Sequence, residues 1–240
     1  MTDIKILVPH VKEGYEERAR FISDMLRREG LQFEFILGGD ISDLTPEVLD
    51  RYFTGKMKKP AATTSCAMKH LLACEYVLEH SLPGALVMED DMILYKNFQK
   101  VFDECMAEME RDHIDNALIN FEDSALRFVP GSQRRKGKHL YRATRDRFTG
   151  CYYLSRGAAR LIMDYVGEHK CDKNADEFHQ ALISRAALPY YWCHPCIATQ
   201  GTHNGLFPSS IDEKSAAKQR YRANTWKLKL AYKKLIYLFR

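Results

Sequence analysis

The sequence predicts an α/β domain built on a mostly parallel central sheet. Through the first half of the chain, short apolar runs alternate with stretches of helical periodicity, the pattern of strands joined by crossover helices. One run, Ala85-Leu86-Val87-Met88, is continuously apolar, as a strand covered on both faces must be. A chain of 240 residues with 45% hydrophobic content is also long enough to bury a sizeable core.

Residues 4–9 read as the opening strand, residues 15–29 as an amphipathic helix, and residues 32–37 as a second strand stopped by Gly38-Gly39-Asp40. Thr45-Pro46 supplies an N-cap and a first-turn proline for a helix through Tyr52. Across residues 63–80, Ala67, Leu71, Cys74 and Leu78 fall on one helical face, and Pro83-Gly84 ends that helix before the apolar strand at 85–88. A helix over 97–110 and a strand over 117–121 follow. Residues 130–138 carry no apolar side chain and read as an exposed, mobile loop that could act as a lid. Beyond it the pattern predicts a strand at 152–154, helices at 156–166 and 176–184, and a strand at 190–193. There is no internal repeat and no linker, so residues 1–210 form one domain and residues 211–240 a tail.

Composition narrows the function classes. No apolar run follows a basic start and none approaches bilayer length, so the expected location is cytoplasmic. The odd number of cysteines, seven, scattered through ordinary globular sequence reads as reduced thiols. Net charge is +4, yet residues 218–240 hold eight Lys or Arg and no acid, so the basicity belongs to the tail and not to a nucleic-acid groove. Within it, Leu228, Tyr232, Leu235, Ile236 and Phe239 share a helical side, with Lys227, Lys229, Lys233, Lys234 and Arg240 mostly on the other. Such a helix suits peripheral contact with an anionic membrane; the alternative is a terminal helix packed on the domain.

The chemistry concentrates at Glu89-Asp90-Asp91, directly after the buried strand. Three adjacent carboxylates there repel one another and lose water, which a cation would relieve; a solvated helix cap is the other reading. The carboxyl ends of strands in open α/β sheets are also where ligands bind. Hard divalent ions such as Mn²⁺ or Mg²⁺ take carboxylate oxygens and bridge to phosphates. The loop Gln200-Gly201-Thr202-His203-Asn204-Gly205 can approach a ligand closely, and His203 is a candidate third metal ligand. Trp192-Cys193-His194-Pro195-Cys196 has thioredoxin-like spacing, but that chemistry needs the first thiol at a helix N-terminus, and the following residues read as strand and turn.

Leu86-Val87-Met88-Glu89-Asp90-Asp91-Met92-Ile93-Leu94 resembles the acidic strand-end motif of glycosyltransferase family 25, the lipopolysaccharide-type galactosyl- and glucosyltransferases. Upstream, Cys66-Ala67-Met68-Lys69-His70 is similar to its Cys-Ala-x-Ser-His segment, with Lys69 in place of serine. The opening strand with Arg18 beyond it, and Thr149-Gly150-Cys151-Tyr152-Tyr153-Leu154-Ser155, resemble further family segments. Pro9-His10 stands where Asn-Leu is usual, and Phe121-Glu122-Asp123 replaces a more apolar turn. The resemblance runs in order over residues 4–200. It implies a GT-A type fold and metal-dependent transfer, with inversion, of a hexose from a nucleotide diphosphate sugar such as UDP-Gal or UDP-Glc. The implied acceptor is a lipopolysaccharide or other surface glycan, including lipid-linked ones. It assigns Glu89 and Asp91 to the metal, with His203 of the glycine-bounded loop as the candidate third ligand. Pro9, Arg18, His70, Asp90, Gly150 and Tyr152 fall to the donor, and Asp176 or Glu177 to the catalytic base, with Glu122 and Asp123 in reserve; helix N-terminal acids are the alternative reading of 176 and 177. Two rivals stand beside it: a thiol-disulfide protein built on Cys193 and Cys196, and an inactive, membrane-associated assembly partner.

Overall fold

The computed structural model describes residues 4–185, 188–208 and 216–240. The first half follows the expected alternation: β1 (Lys5–Pro9), α1 (Glu16–Arg28), β2 (Phe33–Ile36), α2 (Pro46–Tyr52), α3 (Ala62–Glu79), β3 (Gly84–Met88), β4 (Met92–Leu94), α4 (Phe98–Arg111) and β5 (Leu118–Asn120). The second half adds β6 (Leu140–Arg142), β7 (Cys151–Ser155), α5 (Arg156–His169), α6 (Ala175–Ser184), β8 (Tyr190–Cys193), β9 (Ala198–Gln200), α7 (Gly201–Asn204) and α8 (Ala216–Leu238).

Seven strands form the main sheet in the order β2-β1-β3-β7-β5-β8-β6. The strands β2, β1, β3, β5 and β8 run one way, and β7 and β6 run against them. The sheet is therefore mostly parallel in direction, with an antiparallel strand inserted beside β3. Strand alternation sorts the core into two layers. Leu7, Val87, Tyr152 and Leu154 face α3, α5 and α6 through Ala73, Val77, Ile162 and Phe178. Ile6, Leu86, Met88 and Ile119 face α1 and α4 through Ile22, Leu26, Phe98 and Phe102. This two-sided burial is why residues 85–88 carry no polar side chain.

Local chemistry sets the helix starts nearest the carboxylates. The Ser155 hydroxyl accepts from the Ala158 amide and also from Ala117 N, so it caps α5 and ties it to the residue that leads into β5. Asn174 caps α6 through the Glu177 amide at 2.9 Å, which sets Asp176 and Glu177 in that helix's first turn. A second sheet of only β4 and β9, antiparallel, brings Gln200 opposite Met92 just after the acidic triplet.

Two expectations change. Residues 130–138 are mostly exposed, as expected, but they are tethered and not free: Ser132 Oγ donates to the Arg240 carbonyl, Arg134 Nε donates to Val129 O, and the Tyr141 hydroxyl receives the Arg135 amide. The segment is polar because it interacts with the end of α8 and with its own backbone. The tail does pack on the domain. Trp226 is buried beside His203, Lys234 reaches Asp123 at 3.4 Å and lies over Tyr95 and Phe128, and Tyr237 meets Phe128 edge-on. The expected boundary between residues 210 and 211 lies outside the described residues. No described helix is long and apolar enough to cross a membrane.

Candidate active site

The β1 and β3 ends, the start of α1 and the first turns of α3 enclose a cavity of about 420 Å³ lined by Pro9, His10, Arg18, Cys66, His70, Glu89 and Asp90, among others. Glu89 forms its floor. Its Oε1 receives His70 Nε2 at 3.3 Å and lies 3.2 Å from Thr149 Oγ1, while its Oε2 receives Gln200 Nε2 at 3.0 Å. Burial pushes the Glu89 carboxyl up, but the His70 hydrogen bond and charge, with Thr149 and Gln200, outweigh it and hold the acid below its ordinary value. The hydroxyl of wholly buried Tyr152 meets His70 Nδ1 at 2.9 Å and so fixes the ring that faces Glu89.

The next two acids have different environments. Asp90 lies between two bases, 2.7 Å from His10 Nδ1 and 3.2 Å from Arg18. Asp91 turns away from the cavity and accepts the Thr202 amide, while its other oxygen is buried without a hydrogen-bond partner. Burial and the neighbouring Glu89 charge raise Asp91 to about 6. Gly150 lies behind Glu89, its carbonyl accepting the Glu89 amide at 2.8 Å. A Cβ at Gly150 would come within 3.0 Å of the side-chain ends of Met92, Gln200 and Glu122, so a larger residue would have to displace them.

The two candidate bases separate. Asp176 accepts from Thr149 Oγ1 at 2.9 Å, the hydroxyl that also contacts Glu89, and burial and the Glu89 charge raise it to about 6. Glu177 is exposed and pairs with Lys56 at 3.5 Å. Both acids border a second cleft of about 530 Å³, lined also by Arg127, Asp146, Phe148, Lys173 and Gln180 among others, so Asp176 is set apart by its Thr149 contact and its burial, not by the cleft. The reserve acids are unsuited to meet an acceptor. Glu122 and Asp123 are fully buried, and Glu122 accepts the Gly150 and Cys151 amides with its acid raised far above the usual carboxylate range by burial.

A metal would find suitable donors here. Cys66, His70 and Glu89 present ligand atoms within 4.8 Å of one another, the one cluster of this kind among the described residues. Asp91 is not in that cluster, though one of its oxygens is buried without a hydrogen-bond partner, and the crowding of Glu89, Asp91 and Asp176 is what a cation relieves. His203 is not in that cluster; its ring stacks on Phe148 and contacts Trp226. Sequence reasoning missed the roles of His10, Cys66 and Thr149. His10 had a signal, since it follows the first strand at the same end of the sheet as the acids; Thr149 opened a segment the resemblance covered, but only the β3–β7 pairing brings it across to Glu89.

The redox motif does not have the setting it needs. Cys193 ends β8 and is buried against Cys105 at 3.5 Å, and burial pushes its thiol well up and Cys196 to about 12.

An open α/β sheet with an acid-floored cavity at its strand ends, a second cleft beside it and a carboxylate between them suits group transfer from a bound donor. Residues 5–179 match the family described as glycosyltransferase family 25 (LPS biosynthesis protein), and the chain belongs to that family. It is thus a glycosyltransferase that uses a nucleotide-sugar donor. It is similar to two lacto-N-neotetraose biosynthesis glycosyltransferases of Neisseria meningitidis serogroup B. LgtB is 24% identical over 80% of this chain and 74% of its own, and LgtE is 21% identical over 86% and 80%. A solved apo UDP-glucose pyrophosphorylase aligns at TM-score 0.35 and 10% identity, covering 94% of this chain and 82% of that one, too distant a likeness to carry a conclusion.

Proposed function

We propose that this chain is a metal-dependent hexosyltransferase of GT-A type that moves galactose or glucose from a UDP-sugar, with inversion, onto a lipopolysaccharide or other surface-glycan acceptor. One observation carries the reading: Thr149 Oγ1 touches both Glu89, on the floor of one cavity, and Asp176, at the edge of a second cleft. The donor occupies the Glu89 cavity, where His10 and Arg18 add positive charge beside Asp90. The acceptor sugar lies in the Asp176 cleft, where Arg127, Gln180 and the Phe148 ring offer polar contacts and a stacking face.

Glu89 and His70, with Asp91 turned toward them, would hold Mn²⁺ or Mg²⁺, which when bound neutralises charge on the leaving diphosphate, while the neighbouring Cys66 thiol, raised by burial, is too soft a donor for either ion. Asp176 takes the proton from the acceptor hydroxyl as that oxygen attacks the anomeric carbon opposite the leaving group. A base raised to about 6 is ionised at neutral pH yet basic enough for this work. His70 and Gln200 keep the Glu89 carboxylate oriented, and Tyr152 does the same for His70. The two meningococcal relatives are named for building an oligosaccharide, which supports a glycan acceptor.

The test is turnover of a panel of UDP-, GDP- and CMP-sugars with defined glycan acceptors, with Mn²⁺, Mg²⁺ or EDTA. Release of UDP with formation of a glycoside of inverted anomeric configuration, abolished by EDTA, is the expected result. Transfer in EDTA, or a retained configuration, overturns the metal or the inversion respectively.

A further inference from the structure

The helix α8 packs on the domain with one side and leaves an apolar stripe on another. Trp226, Lys234 and Tyr237 make the contacts with His203, Asp123 and Phe128. At 3.6 residues per turn, Tyr221, Leu228, Tyr232 and Leu235, continued by Phe239, fall together on a different side of the same helix. All five are exposed, Leu228 at 73% and Phe239 at 81%. Lys229 is nearest the stripe on one flank, with Lys233 beyond it toward the Trp226 side, and Lys227 lies on the other flank, all exposed. From residue 216 onward the chain contains no acid. Lys234 and Ile236 depart from the expected two-sided pattern: the apolar stripe faces solvent, and the opposite side, anchored by Trp226, Lys234 and Tyr237, holds the domain.

We propose that this stripe is a docking surface for an anionic lipid bilayer, with the apolar side chains entering the headgroup boundary and Lys227, Lys229 and Lys233 meeting lipid phosphates. Charge complementarity selects the occupant. An apolar stripe alone suits a second copy equally, but a two-fold contact through this helix would bring its lysines against those of the other copy, with no acid on the helix to pair them. An anionic bilayer satisfies both the apolar and the basic groups. The surface rests on the glycosyltransferase reading only for its purpose, which is to present lipid-linked acceptors; binding itself is measured without turnover.

The experiment is co-sedimentation of the full chain with phosphatidylcholine vesicles and with vesicles of 3:1 phosphatidylcholine and phosphatidylglycerol. Wild type is expected to sediment with the anionic vesicles alone and to be released by high salt. Lys227→Gln with Lys229→Gln and Lys233→Gln should weaken binding about fivefold per lysine, on the order of a hundredfold together. Leu228→Ser with Leu235→Ser and Phe239→Ser should abolish sedimentation while the thermal melt stays unchanged, because these side chains do not pack on the domain. The idea is overturned if wild type ignores anionic vesicles or if either triple variant binds as wild type does. It is equally overturned if light scattering shows a dimer that the serine variant dissolves without any vesicle binding by wild type.

Discussion

Replacing Asp176 by Asn should make the protein more stable and inactive at once. The folded protein raises this carboxyl from 3.8 to about 6, first through burial and then through the Glu89 charge. A folded value above the unfolded one means the ionised carboxylate opposes folding, and the penalty is complete above pH 6 and absent below about 4. A shift of roughly two units corresponds to about 3 kcal/mol. Asparagine keeps an oxygen for the Thr149 hydroxyl, so little of that gain is returned through a lost hydrogen bond. For a chain of this size the gain amounts to a melting temperature higher by roughly 5–10 °C at pH 7.5. The assay is thermal unfolding followed by circular dichroism in EDTA, at pH 7.5 and again at pH 4.5, where the difference should shrink to about a third of its neutral value. Turnover should fall by about 10²–10⁴-fold as the base is lost. An unchanged or lower melting temperature at pH 7.5, or near-wild-type transfer, would refute the reasoning.

Glu89→Gln has the opposite sign: its acid is held below the ordinary value in the folded protein, so in EDTA at neutral pH the variant should melt lower than wild type, with the loss fading as pH falls. The same variant should erase any rise in melting temperature that Mn²⁺ or Mg²⁺ gives wild type, measured by differential scanning fluorimetry. In wild type, kcat/KM should decline as pH drops through about 6 and Asp176 takes up its proton, whereas Asp176→Asn should show no such limb in its residual rate. Cys193 and Cys196, buried with raised thiol values, should react with Ellman's reagent at least about a hundredfold more slowly in the native protein than in urea, and Cys193→Ser with Cys196→Ser should leave transfer nearly intact. Trp226→Ala should cost about 3–5 kcal/mol by urea unfolding, since the ring is buried between α8 and α7; no cost would mean that α8 is not docked in solution.

The alternation of apolar runs and helical periods was enough to locate the opening strand, the first three helices and the β3 strand, because each is decided by local pattern and by burial on both faces. The acidic triplet after β3 was equally legible, since carboxylates that follow a fully apolar strand stand out in composition alone. Three short strands showed less. The three-residue β4 and β9 have no period to detect, and β7 gives no sign in its own residues that it runs against β3. That one inversion is decisive for the site. It brings Gly150 behind Glu89 and Thr149 between Glu89 and Asp176, contacts spanning 60 and 27 residues of chain that no local spacing encodes. The same holds for the choice between Asp176 and Glu177, neighbours in one helical turn. Asn174 caps the helix so that one carboxyl turns to Thr149 and the other to Lys56. The tail's amphipathic pattern was in the sequence, but which side meets the domain depended on where Asp123, Phe128 and His203 offered partners, and those positions exist only once the sheet is assembled.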